Sequence, residues 1–162
     1  MKINRQTLPL NKEVSFAEDI DFSDAKFDPS FLRKIISCHV EAKAYQNQEI
    51  LRVVVEVKSQ VVAISAYSLK DVPISLKLHD ELVFSDNSED ATAFYEPQNI
   101  VELDDHILGL ILSHIPSKVV GKGEKLPSGG EGYRIISEDE YLKEKETKTD
   151  SRWEKLDSVK IE

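Results

Sequence analysis

The chain has few of the residues that mark disulfide-rich, metal-binding and membrane proteins. It contains one cysteine, Cys38, which leaves no pair for an internal disulfide and no Cys-x-x-Cys pair for a structural zinc site. Its longest apolar cluster, residues 107–112, is far shorter than the roughly twenty residues that a membrane-spanning helix needs. The opening residues lack the apolar core and the cleavage site of a signal peptide. We therefore expect a cytosolic protein with no membrane partner.

The composition of the 162 residues is typical of one globular domain. Hydrophobic residues make up 40% and charged residues 31%, which is enough for an apolar core and a well-solvated exterior. Beyond Pro116 the chain becomes rich in Lys, Gly, Ser and Glu. We expect a folded body over residues 1–120. A loosely ordered loop and a charged C-terminal helix over residues 121–162 are expected to belong to the same single domain.

Basic residues are missing from part of the second half of the chain. The net charge is −9, and residues 80–105 contain nine acidic side chains but no Lys or Arg. Such a segment repels a phosphate backbone, so we expect no DNA partner and no long RNA track across it. The local exception is Lys118, Lys122 and Lys125, whose short glycine-containing loop could touch phosphate or could simply be solvated.

Alternating apolar residues predict a β-sheet in the first half. The period is two over residues 38–44, 51–57 and 72–78, and residues 61–65 form a further apolar run. Three or four such strands in succession predict an antiparallel meander. Pro73 cannot donate a hydrogen bond to a ladder, so its strand is expected to begin at a sheet edge or just after a bulge.

Two segments of the chain have the apolar spacing of a helix. Asp28-Pro29 is a typical helix start, and the apolar residues that follow recur on one helical face: Phe31, Leu32, Ile35 and Ile36. Asp104 or Asp105 can cap a second helix, which ends at Pro116. Its apolar residues surround most of the helix, so we expect it to be deeply buried.

A third helix, highly charged, is predicted near the end of the chain. Ser137 can cap it, acidic residues crowd its first turn, and lysines follow as far as Lys148. The expected fold class is therefore α+β. It consists of an antiparallel β-meander or partly closed sheet, covered by one or two helices, with a flexible charged C-terminal segment.

No catalytic or metal site is predicted from the motifs. His106 and His114 share the second predicted helix, but no third ligand or base stands at a motif spacing. Ser113-His114 lacks the glycines of a nucleophile elbow. Residues 121–123, Gly-Lys-Gly, have the wrong spacing for a phosphate-binding loop. We therefore expect a non-enzymatic protein with no cofactor.

Four short segments in the second half follow the order of motifs in a known family. They are a Val-Glu-Leu-Asp lead-in at 101–104, a helix with an Ile-Pro exit at 107–120, a Gly-x-Gly-Tyr segment at 130–138 and an Asp-Ser-Arg-x-x-x-Leu end at 150–156. In this respect the chain resembles the YceD-like family. It departs from that family at residues 65–69, where many members carry Cys-x-x-Cys, and at Ser151, where the family has proline. The zinc role of those members is therefore not carried over.

The resemblance implies a protein needed for the accumulation or processing of large-subunit (23S) ribosomal RNA, without a known catalytic residue. The partner would be a ribosomal protein, an assembly factor or large-subunit precursor RNA, and the acidity of the chain favours an indirect contact with the RNA. Arginine and tryptophan often contribute most of the binding energy at protein interfaces. The residues that we expect to contact the partner are Lys118, Lys122, Arg134, Arg152 and Trp153.

Two other functions are compatible with the sequence. The acidic segment 80–105 could belong to an adaptor or chaperone-like module that holds a basic protein, in which case binding should weaken steeply with salt. Alternatively, the sheet and the two histidines, His106 and His114, could form a small-molecule binding module. Because unassembled ribosomal proteins are themselves basic, the adaptor and the assembly factor could be the same mechanism.

Overall fold

The computed structural model describes residues 1–30, 32–127 and 129–147, with only the backbone of residues 146 and 147. The chain divides into two compact units, Met1–Gly121 and Lys122–Glu162, which are considered separately below. Within the described residues, no helix is both long enough and apolar enough to cross a membrane.

The first unit contains two β-sheets and one helix. Its elements are β1 (Lys2–Asn4), β2 (Glu13–Asp19), β3 (Leu32–Gln46), β4 (Ile50–Ile64), β5 (Asp71–Ser85), β6 (Phe94–Tyr95), β7 (Ile100–Glu102) and α1 (Asp104–Ser113). A five-stranded sheet has the order β2-β3-β4-β5-β6, and β1 pairs with β7 in a small second sheet. All pairs are antiparallel except β5 with β6. The predicted α+β class and meander are confirmed.

One face of the large sheet carries the core. Alternate residues of β3 and β4 point to it and are fully or almost fully buried: Cys38, Val40, Ala42, Ala44, Leu51, Val53, Val55 and Val57. Burying each valine or leucine contributes about 1.5–3 kcal/mol, so this row stabilises the sheet far more than its exposed ion pairs do. The further apolar run at residues 61–65, which left three or four strands possible, is largely the end of β4, which continues to Ile64.

Helix α1 lies where the sequence predicts a helix and packs against β5. Ile107, Leu110 and Ile111 are buried, whereas Asp105 and Gly109 are exposed, so the helix buries one face and is not enclosed on all sides as expected. The predicted cap is also wrong. The N-cap residue is Leu103, with no side-chain cap, because the carboxylate of Asp104 instead accepts a hydrogen bond from the amino group of Met1.

The helix predicted after Asp28 is wrong. The Asp28 carboxylate does accept hydrogen bonds from the amide and the hydroxyl of Ser30, at 2.8 and 2.7 Å, and the amide of Leu32 donates to the Asp28 carbonyl at 3.1 Å. This single turn is not continued, because β3 begins at Leu32. The pairing of β3 with β4 shifts register between Leu32 and Lys34 and again between Ile35 and Ser37. These irregularities each insert a residue into the alternation, which gave the apolar positions a spacing that resembles a helical period.

The second unit contains α2 (Glu138–Thr147), in agreement with the predicted third helix. Its start is a capping box: the amide of Glu140 donates to the hydroxyl of Ser137 at 3.2 Å, and the amide of Ser137 donates to the carboxylate of Glu140 at 3.0 Å. The predicted helix end, Lys148, lies outside the described residues.

Candidate interaction surfaces

Lys118 lies at the end of the large sheet where β4 turns into β5. An isolated parallel bridge joins Ser65 to Val119, and the amide of Ala66 donates to the carbonyl of Val119 at 2.8 Å. These contacts hold the segment after α1 against the turn. The ammonium of Lys118 then lies 5.3 Å from the ring centroid of Tyr67, within the range of a cation–π interaction.

Leu69 adds an exposed apolar side chain to the same turn. Its φ is +58°, a left-handed conformation that is uncommon for residues other than glycine, and its amide donates to the carbonyl of Ser65 at 3.0 Å. The residue is 73% exposed. We call the surface formed by Tyr67, Leu69 and Lys118 the basic–apolar corner. Sequence reasoning selected Lys118 but not its two neighbours, because only the bridge to Val119 brings them together.

Ser65 follows the last residue of β4, Ile64, and begins the turn into β5. It is fully buried, and its hydroxyl oxygen accepts hydrogen bonds from the amides of Tyr67 and Ser68, at 3.2 and 3.3 Å. The serine therefore closes the turn through hydrogen bonds. Among the described residues, no group of three or more His, Cys, Asp or Glu side chains is placed to hold a metal ion.

Acidic side chains gather at the opposite end of β5. Asp86, Glu89 and Asp90 follow the strand, and Glu96 follows β6. We call these four residues the acidic end. None of them forms an ion pair within the described residues. By contrast, three other carboxylates of the 80–105 segment are neutralised: Glu81 by Arg52 at 2.9 Å, Glu102 by Lys2 at 2.5 Å, and Asp104 by the amino group of Met1.

His106 packs between aromatic rings near the acidic end. Its ring centroid lies 5.1 Å from that of Phe84 and 4.5 Å from that of Phe94. Burial lowers the pKa of His106 below 6.5, although the carboxylates of Asp105 and Glu96 act in the opposite direction. The neutral ring is therefore the form that packs best here.

The two histidines of α1 have different surroundings. His106 contacts the two phenylalanine rings, whereas Nδ1 of the exposed His114 lies 2.9 Å from the carbonyl oxygen of Leu110. The contacts of His106 and His114 therefore do not meet in one site.

The outer, polar face of the sheet carries a shallow groove that sequence reasoning missed. It has a volume of about 470 Å³ and is lined in part by His39, Glu41 and Lys43. Nδ1 of His39 lies 2.6 Å from the carboxylate of Asp19, and the ammonium of Lys58 donates to Glu41 at 2.8 Å, which lowers the pKa of Glu41. The pairing of β2 with β3 brings Asp19 opposite His39. The alternation of Val14 and Phe16 was the available signal for β2.

The other predicted contact residues belong to the second unit or lie beyond the described residues. Lys122 is exposed. Arg134 is 66% exposed on its side chain and forms an ion pair with Glu144, within a shallow groove of about 370 Å³ that this unit carries. Arg152 and Trp153 lie outside the described residues, as does the motif at 150–156.

Comparisons of the chain with models of protein families, with curated proteins and with solved structures give no match. The resemblance to YceD-like proteins therefore stays a prediction that rests on the order of four short motifs.

Proposed function

We propose that this protein is a non-enzymatic assembly factor that acts in the cytosol in the accumulation or processing of large-subunit (23S) ribosomal RNA. In this proposal it reaches the ribosomal particle through a basic ribosomal protein or another assembly factor. The order of the YceD-like motifs along the chain suggests the process. The observation that carries the mode of contact is the acidic end, whose four carboxylates form no ion pair within the described residues, although the guanidinium of Arg5 donates to the backbone carbonyl of Glu96 at 3.3 Å.

Electrostatics favour a protein over RNA as the direct contact of the acidic end. Asp86, Glu89 and Asp90 lie close together in the loop after β5, and repulsion between them and a phosphate backbone acts within the Debye length of about 8 Å at physiological salt. A basic protein surface gains from the same charges. Such pairs mainly accelerate association and select the partner, and their effect declines as salt rises.

The basic–apolar corner is a separate surface. It lies at the start of β5, whereas the acidic end follows the last residue of that strand, Ser85. Strand geometry places the two ends roughly 45 Å apart along β5, several times the Debye length, so their charges act independently. Lys118 can thus make a local contact with RNA or protein while the acidic end holds a basic segment.

A charge-neutralising double variant tests the proposed contact. Asp86→Asn with Glu89→Gln removes two exposed carboxylates of the acidic end. The matched control, Asp24→Asn with Glu56→Gln, changes the net charge equally at exposed positions elsewhere in the first unit. Both variants are tagged and recovered from growing cells at low salt, with bound protein identified by mass spectrometry and bound RNA by sequencing. The ratio of 23S to 16S RNA is measured in the same cells.

The proposal predicts that the acidic-end variant loses a basic large-subunit protein and lowers the 23S to 16S ratio, whereas the control variant does neither. A second comparison, Lys118→Gln against Lys12→Gln, tests the corner in the same way. If depletion of the protein leaves the 23S to 16S ratio unchanged, the ribosomal proposal is refuted. A salt-sensitive, basic but non-ribosomal partner at the acidic end would then support the adaptor function in its place.

A further inference from the structure

Strand β5 is paired along only one of its two edges for most of its length. β4 pairs with all fifteen residues of β5, from Asp71 to Ser85. On the other edge, β6 pairs only with Phe84 and Ser85. Within the described residues, positions 71–83 have no strand partner on that side. An unpaired edge presents a row of backbone donors and acceptors that can take a further strand.

The register identifies the backbone groups that face outward. The amide of Ser65 donates to the carbonyl of Lys70 at 2.8 Å, which makes this pair a hydrogen-bonded one at the mouth of the hairpin. Antiparallel pairs alternate, so even-numbered residues of β5 bond to β4 and odd-numbered residues point away from it. The carbonyl of Ser85 follows this rule, since it accepts the amide of Glu96 on the β6 side at 2.8 Å.

From residue 75 onward, the outward-facing backbone amides of β5 can donate hydrogen bonds to an added strand. Pro73 belongs to the row and has no amide hydrogen, so it blocks the start of the edge without disturbing the ladder with β4. The next outward residues with an amide hydrogen are Ser75, Lys77, His79 and Glu81, and all four are exposed. The amide of Glu81 already donates to the carboxylate of Asp80 at 2.8 Å, so an added strand would meet the amides of Ser75, Lys77 and His79.

A row of half-buried apolar side chains runs beside these donors. It consists of Val72, Ile74, Leu76 and Leu78, all on the core face of the sheet. Their neighbours on β4 are buried. The core face is therefore shielded from solvent at β4, whereas at β5 its apolar side chains stay partly exposed. An added strand with apolar residues at alternate positions would cover this row.

Charge indicates which strand fits. Asp80 is exposed on the core face between Leu78 and Leu82, and Asp86, Glu89 and Asp90 follow the end of the strand. Resting on the function proposed above, we propose that the 75–83 edge of β5 binds an extended segment of the basic partner. That segment alternates apolar and polar residues and carries Lys or Arg where it meets Asp80 and the acidic end. Lys77 disfavours a basic residue directly opposite it.

Amide hydrogen exchange, resolved by NMR, tests this inference. The probe is a synthetic peptide of alternating Lys and Val, with a peptide of alternating Glu and Val as its control. In the free protein, the odd-numbered amides of Ser75, Lys77 and His79 should exchange fast while the even-numbered amides exchange slowly. The Lys–Val peptide should slow the odd-numbered amides, and the Glu–Val peptide should not.

Two variants of one residue separate backbone pairing from charge. Lys77→Pro removes one outward donor but no bond to β4, and it should weaken the Lys–Val peptide roughly tenfold through the lost hydrogen bond and the interrupted ladder. Lys77→Ala retains the donor and removes a repulsive charge, so it should bind the peptide as well as the wild type or better. Circular dichroism and the melting temperature verify that both variants fold.

Three results of the exchange and peptide experiments would overturn the inference. One is slow exchange of the odd-numbered amides in the free, dilute protein, and another is peptide binding without their protection. The third is protection that rises with protein concentration alone, since the occupant would then be a second copy of this chain. A separate result would distinguish the two proposals. If the acidic-end variant loses the ribosomal partner but Lys77→Pro does not, the proposed function is supported and binding at the edge of β5 is refuted.

Discussion

Replacing Gly109 by alanine should stabilise the first unit. The residue lies in the interior of α1 and is exposed, and a Cβ atom built on it meets nothing within 4 Å. Glycine in a helix interior costs backbone entropy that alanine does not, so Gly109→Ala should raise the free energy of unfolding by about 0.5–1 kcal/mol. For a chain of this size the melting temperature should rise by roughly 1–4 °C.

Urea and thermal denaturation followed by circular dichroism measure the effect. Ile107→Ala, two residues away, is the matched comparison because Ile107 is fully buried. It should lower the free energy of unfolding by about 2–5 kcal/mol through lost burial and a cavity. A lower melting temperature for Gly109→Ala would refute the reasoning, since it would mean that the helix surface at this position is occupied. A more stable variant with impaired ribosomal RNA accumulation would instead assign the exposed face of α1 to a partner.

Three further predictions concern single side chains. Because burial lowers the pKa of His106 below its unfolded value of 6.5, the unfolded chain takes up the proton first as the pH falls. The wild type should therefore lose more stability between pH 7.5 and 5 than His106→Gln does in matched urea titrations, and parallel curves would contradict this. Burial, with smaller contributions from Asp104 and Asp19, raises the pKa of the Cys38 thiol to about 11, so a thiol reagent at neutral pH should label the native protein only as it unfolds. Immediate labelling of the native protein would show that the site is open. Ser137→Ala should destabilise α2 by about 1 kcal/mol, seen as faster amide exchange over residues 138–147, while Ser137→Thr retains the cap.

The strands were predictable wherever one face is buried without interruption. In β3 and β4 the alternation from Cys38 to Val57 survives folding, because the apolar residues at alternate positions there face the same core. The sequence misled at Leu32–Ile36, where the shifts in the pairing of β3 with β4 disturb the period of two. The pairs of β1 with β7 and of β5 with β6 involve only two or three residues, too few for a periodic signal.

The sequence shows which residues of the candidate surfaces are charged, but it does not show which of them lie close together in the structure. The lack of Lys and Arg over residues 80–105 is visible in the sequence, and it marks the acidic end. Which of these acids are neutralised depends on strand pairing, as when β4 brings Arg52 beside Glu81. Likewise, Lys118 and Tyr67 are far apart in sequence, and their contact follows from the bridge between Ser65 and Val119.

The meander also implies an order of events during synthesis. Strands β2, β3, β4 and β5 are neighbours in the sheet in the order in which they leave the ribosome, so each can pair with the strand just made. The apolar face, however, stays open until α1 emerges about twenty residues after β5. At translation rates of about 5–20 residues per second this interval lasts roughly 1–4 s. During that time the nascent sheet exposes both its apolar face and its unpaired edge, and it is then that a chaperone would protect the chain most effectively.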